Sequence, residues 1–201
     1  MRGARDPARL APLIFPPLLA AFAALYWTDE ARYLRVLDED GPVEWATAAL
    51  LAAGAGLAIH RARAGGRSRR FYVVVAAVAG LAVLEEISWG QRLLGVESPD
   101  FFLRHSDQQE TNLHNVFQQW TGLTTKMVAA IVLLGYGVVL PLSPRLQVAA
   151  ARHGVPVPPR VLIVGFALGS LLMIDLPTFE EEEIAELFYA LALVLLLGAE
   201  R

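Results

Sequence analysis

The 201-residue chain contains no cysteine, a single lysine (Lys126) and little charge of either sign. Without cysteine there can be no disulfide, no thiolate metal site and no cysteine nucleophile. Charged residues make up 18% of the sequence, where a soluble domain carries about a quarter. In their place, 55% of residues are hydrophobic and the mean hydropathy is +0.45. The apolar residues come in runs rather than at helical or strand spacing. Runs of roughly 15 to 21 residues match a hydrocarbon core about 30 Å thick. The composition predicts an all-α, polytopic membrane helix bundle whose partner is the lipid bilayer and not nucleic acid. The preference for Ala, and for Arg over Lys, is the usage of a GC-rich bacterial genome. The expected location is therefore the bacterial cytoplasmic (inner) membrane.

About six transmembrane helices are expected, at 10–27, 43–60, 71–89, 122–142, 161–176 and 179–199, in one transmembrane domain over 1–201. The second, "VEWATAALLAAGAGLAI", is rich in Ala and Gly, which lets helices approach closely in lipid. Pro141 ends the fourth, and Thr178 with Glu181 forms a capping box for the sixth. Arg2, Arg5 and Arg9 precede span one, Arg61 to Arg70 follow span two, Arg145 to Arg160 follow span four, and Arg201 closes the chain. By the positive-inside rule all of these segments, and so both termini, are cytoplasmic. Trp27, Trp45, Trp89 and Trp120 then form one belt at the outer interface. The first span can also be read as a cleaved signal peptide, with small residues at Ala21 and Ala23. Pro16 and Pro17 predict a kink if it is retained.

The outer segment between spans three and four predicts a short helix, with Ser98 as N-cap and Pro99 at the first position, whose Phe101, Phe102 and Leu103 suit a place in the interface. Leu113, Val116, Phe117 and Trp120 fall at i, i+3, i+4 and i+7, so a second, amphipathic helix should lead into span four.

The residues that could carry chemistry lie towards the outer face. Glu85 and Glu86 end span three, roughly 6 Å or less from its edge at Trp89. If that helix continues, Glu85, Ser88, Trp89 and Arg92 share a stripe, while Glu86 shares another with Gly90. His114 in "NLHN" lies between Asn112 and Asn115. In the last span the helix dipole accounts for Glu180, Glu181 and Glu182. Glu186 lies deeper, in register with Glu182 and Tyr189, and Asp175 ends span five at a similar depth. Glu44 starts span two. Glu86, His114, Glu186 and Glu44 suit a divalent metal ion such as Zn²⁺, Mn²⁺ or Fe²⁺. Glu86, His114, Glu85 and Arg92 are the candidate catalytic groups, with Glu86 as general base. Asn112, Asn115, Gln91, Glu182 and Asp175 would give polar support.

The stretch "EEISWGQRLLGVESPDFFLRHSDQQETNLHN" resembles the signature of an uncharacterised bacterial multi-pass membrane protein family over residues 84 to about 120. That resemblance implies location and fold class without an activity. A looser similarity is to the CAAX-type intramembrane proteases, whose motif is a glutamate pair, an arginine after three residues and histidines on later helices. Here Glu85 and Glu86 match the pair, Arg92 follows after five residues, and His114 alone could serve as a second-motif histidine. Three functions remain open on the residues. They are a metal-dependent membrane hydrolase or ligand-binding protein using the outer acids, an ion-coupled transporter using Glu186 and Asp175, and an accessory subunit whose acidic outer face docks a membrane-protein or lipid partner.

Overall fold

The computed structural model describes residues 6–38, 40–105, 125–173 and 181–199. All regular structure among them is helical. Asp6 accepts from the Ala8 N–H at 3.0 Å and opens a 3₁₀ turn, Pro7–Leu10. Helix α1 (Ala11–Thr28) follows, with Pro16 and Pro17 inside it and without a break. Asp29 then caps α2 (Glu30–Leu37) by accepting from the Arg32 N–H at 3.0 Å. This short helix has no counterpart among the predicted spans. It buries Tyr33 and Leu37, four residues apart on one face.

The 23-residue α3 (Pro42–Ala64) has Pro42 at its first position, where no amide donor is needed. Gly65 and Gly66, at φ 83° and 89°, turn the chain into the 18-residue α4 (Arg69–Glu86). Positive φ at both positions is what glycine allows at little cost. Two short helices, α5 (Gln91–Leu94) and α6 (Asp100–His105), come next. Helix α7 (Thr125–Leu134) continues through a π-helical turn, Gly135–Val139, to Leu142. The chain then bends by 110° into α8 (Pro144–Arg152). Helices α9 (Ile163–Leu172) and α10 (Glu181–Ala199) complete the order. The predicted helix over Leu113 to Trp120 lies outside the described residues.

Helix α10 is the centre of the bundle and packs against both α3 and α9, while α4 packs along α3 and shares a small core with α10 through Tyr72 and Leu197. Phe188 is fully buried and meets the equally buried Phe15 of α1 edge-to-face, with ring centroids 5.2 Å apart. Small residues make the approach possible. A Cβ at Gly54 would stand 2.8 Å from Leu193 Cδ2, and one at Gly169 would stand 2.9 Å from Tyr189 Cε1. The Tyr189 hydroxyl completes the α9–α10 contact by a 2.9 Å hydrogen bond with Ser170.

Charge separates along this frame. At one end, Arg61 donates to the Leu197 carbonyl at 2.9 Å and Arg67 to the Arg152 carbonyl at 3.0 Å. Pro7 lies against Gly198 there, so the first and last described helices meet at the arginine end. Glu44, Glu86, Glu183 and Glu186 gather at the other end.

The six predicted spans all have helical counterparts among the described residues, but fewer qualify as spans. Pro7–Thr28 and Glu30–Ala64 are long and apolar enough to cross a membrane. Met127–Leu142 with Pro144–Arg152 makes a third if the bent pair counts as one. The expectation of six is thus corrected to two or three by length and composition. Helix α4 carries Arg69, Arg70, Glu85 and Glu86 within its 18 residues. Arg160–Leu172 is a shorter apolar helix, and α10 opens on glutamates.

Candidate functional site

The acidic end is built from the start of α3, the end of α4 and the start of α10. Glu86, the last residue of α4, hydrogen-bonds Glu186 of α10, and Glu183 and Glu44 lie close enough to act on it electrostatically. A hydrogen bond between two carboxyl groups contains one proton, because an ionised carboxylate only accepts. The pair joins residues exactly one hundred positions apart in sequence and ties α4 to the central helix. Glu44, Glu86, Glu183 and Glu186 are each partly buried.

The acids differ in how well their helices hold them. Glu44 sits in the first turn of α3 and accepts from the Asp40 backbone N–H, bracing a residue held at φ 60°. Glu181, Glu182 and Glu183 occupy the first turn of α10. These positions face the positive end of the helix dipole, a contribution of about 0.3–1 kcal/mol each. Glu85 and Glu86 sit in the last turn of α4, at the negative end. They are held by other groups: Glu86 by Glu186, and Glu85 by the Trp89 indole, which donates from Nε1 to Oε1 at 2.7 Å.

The helix does not continue past Glu86 as the stripe of Glu85, Ser88, Trp89 and Arg92 required. It stops because Ser88, Trp89 and Gly90 all take positive φ, at 45°, 54° and 79°. Two consecutive non-glycine residues in the left-handed region are costly, of order 1–3 kcal/mol each, and require support from their surroundings. Ser88 is buried, and the Trp89 bond to Glu85 supplies part of that support. Glycine at 90 meets the backbone conformation rather than crowding, since a Cβ there would meet nothing within 4 Å. Arg92 and Gln91 fall in α5. Gln91 Oε1 accepts from the Ser98 hydroxyl at 2.8 Å, so this predicted N-cap of the interfacial helix also ties α5 to the segment before α6.

In α10 the glutamate that joins Glu186 beside Glu86 is Glu183, one turn away, while Glu182 is the one in the predicted stripe. Tyr189 points to Ser170 on α9. His114, Asn112, Asn115, Asp175 and Glu180 lie outside the described residues. Among the described residues no group of three acids or histidines is arranged to hold a metal ion. Sequence reasoning passed over Thr47. It is 1% exposed, one turn along α3 from Glu44, and its Oγ1 has no hydrogen-bond partner among the described residues. Its only signal was a hydroxyl inside an otherwise apolar run, "ATAALLAAG".

Chemically, the arrangement brings two carboxyl groups within hydrogen-bonding reach, with two further acids near enough to favour a positive charge. No protein-family model matches this chain, nor does any curated protein or solved structure.

Proposed function

We propose that the chain is a multi-pass protein of the bacterial inner membrane whose acidic end is an outward-facing binding site for a cation or cationic ligand. On this reading the two or three helices long and apolar enough to span cross the bilayer, with the arginine end cytoplasmic and the acidic end outside. The charges at the ends of α4 and α10 then lie at the interfaces, where long side chains reach water at modest cost. The five arginines Arg61, Arg63, Arg67, Arg69 and Arg70 gathered at one end, against Arg32 and Arg35 at the acidic end, support the orientation through the positive-inside rule.

The observation that carries the site is the Glu86–Glu186 pair. An entering cation would displace the shared proton to water and be met by both carboxylates, with Glu183 and Glu44 contributing charge. A metal-dependent hydrolase is the finer form of this reading. It needs a third ligand, for which His114 is the candidate, and Glu86 as base. The resemblance to the EEISWGQR…NLHN family belongs to the same proposal.

Elemental analysis and titration with Zn²⁺, Mn²⁺ and Ca²⁺ test it on detergent-purified protein, wild type beside Glu86→Gln, Glu186→Gln and His114→Ala. Near-stoichiometric binding that both glutamine variants lose at unchanged folding supports the site. Additional loss in His114→Ala makes the imidazole a ligand and favours the hydrolase. No bound cation in wild type overturns the reading in favour of a non-enzymatic accessory subunit. That second reading is favoured by the carboxyl pair itself, which also works as a fastening between α4 and α10.

A further inference from the structure

The other end of α4 carries a different arrangement. Helix α3 finishes on Arg61, Ala62, Arg63 and Ala64, and the Gly65–Gly66 reversal sends the chain straight into Arg69 and Arg70. Arg63 and Arg69 thereby come to line one cleft of about 250 Å³ between the two helices, together with Ile59, Ala62, Val73 and Ala76. Ile59 and Arg63 are four apart on α3, and Arg69, Val73 and Ala76 follow at i, i+4 and i+7 on α4. Both walls therefore have the same order: a guanidinium at the helix end and aliphatic carbon deeper along the helix. Ile59 and Val73 are 43% and 51% exposed, so the apolar part of the cleft opens outwards from the bundle.

The neighbouring arginines are employed differently. Arg61 and Arg67 donate to the carbonyls of Leu197 and Arg152. Neither Arg63 nor Arg69 has a carboxylate partner among the described residues. Arg69 also lies in the first turn of α4, where the helix dipole opposes a cation. An anion between the two guanidinium groups would relieve both conditions.

We infer that this cleft binds an anionic phospholipid, its phosphate between Arg63 and Arg69 and the upper part of an acyl chain along Ile59, Val73 and Ala76. Guanidinium groups match phosphate oxygens with paired, charge-assisted hydrogen bonds. Basic clefts between membrane helices on the cytoplasmic side have the right placement for anionic headgroups. The apolar walls select a lipid over a free phosphate, which would leave Ile59 and Val73 uncovered. The inference rests on the membrane reading of the chain and is independent of the acidic end.

The test is native mass spectrometry and thermal unfolding of the full chain in detergent, titrated separately with dioleoylphosphatidylglycerol, dioleoylphosphatidylcholine and inorganic phosphate. One phosphatidylglycerol is expected to stay bound and to raise the unfolding temperature at concentrations where phosphatidylcholine and phosphate do neither. Arg63→Gln with Arg69→Gln should weaken that binding at least tenfold. Val73→Trp, which keeps both arginines and fills the cleft, should weaken it likewise, and Arg145→Gln should leave it unchanged. Equal retention of the two lipids, wild-type binding in the double variant, or equal affinity for phosphate alone overturns the inference. Alkaline extraction of the native membranes separates the two levels. A chain that stays with the membrane but shows no lipid preference defeats the cleft alone, whereas a chain released into the supernatant defeats the membrane reading.

Discussion

Helices α3 and α4 lie side by side, run in opposite directions and carry the same charges at the same ends of the bundle. Helix α3 has Glu44 in its first turn and Arg61 and Arg63 in its last, each on the favourable side of its dipole. Helix α4 has Arg69 and Arg70 first and Glu85 and Glu86 last, each on the unfavourable side. What decides the placement is the end of the bundle and not the direction of the helix. The consequence is asymmetric. Charges on α3 are favoured by their own helix dipole and reach further partners as well, Glu44 the Asp40 amide and Arg61 the Leu197 carbonyl. Charges on α4 are opposed by their own dipole and depend on side-chain partners, Glu85 on Trp89 and Glu86 on Glu186, and both proposed sites are found at the two ends of α4.

Breaking the frame common to both ends should have the largest effect. Phe188 fills the middle of α10 against Phe15, and Phe188→Ala should cost about 3–5 kcal/mol, lowering the unfolding temperature in detergent sharply. Next comes the α4 side of the comparison. Glu86→Ala leaves the Glu186 carboxyl without its partner, for a loss of about 1–3 kcal/mol in the same assay. Glu86→Gln, whose amide can donate the same hydrogen bond, should recover most of that loss. The α3 counterpart is milder: Glu44→Ala removes a bond at a helix start, for about 1 kcal/mol. The smallest effects bear most directly on the dipole argument. In lipid-free detergent at low salt, Arg63→Gln should destabilise by about 0.3–1 kcal/mol, while Arg69→Gln should be neutral or stabilising by a similar amount. Equal losses in the two variants would remove the distinction between the helices.

Much of this frame can be read from residue order. The apolar runs predict every long helix to within a few residues, because burying or lipidating such a run leaves the backbone no alternative to internal hydrogen bonding. Helix α2 escaped because its signals, Asp29 as a cap and the Tyr33–Leu37 spacing, are local and weak beside the flanking spans. The end of α4 was misjudged for a different reason. Nothing in "EEISWGQR" announces left-handed backbone at Ser88 and Trp89, and that conformation is sustained by tertiary contacts such as the indole bond to Glu85. Residue order also places the clustered acids only at the ends of their own helices. Their lateral meeting depends on α10 being the central helix, which Gly54 of α3 and Gly169 of α9 allow by admitting Leu193 and Tyr189 of α10. The choice of Glu183 over Glu182 beside Glu86 follows from the same packing.

The account rests on Glu86 meeting Glu186, and the absence of cysteine makes that meeting directly measurable. Paired cysteines at 86 and 186 can be treated in native membranes with a short bifunctional methanethiosulfonate, which spans the reach of two carboxyl side chains. Pairs at 85 and 186 serve as the comparison. The account predicts efficient cross-linking of the 86–186 pair, seen as a shift in mobility after cleavage of the intervening chain, and little for 85–186. Equal yields in the two pairs, or none in either while single-cysteine labelling shows both sites accessible, would contradict it.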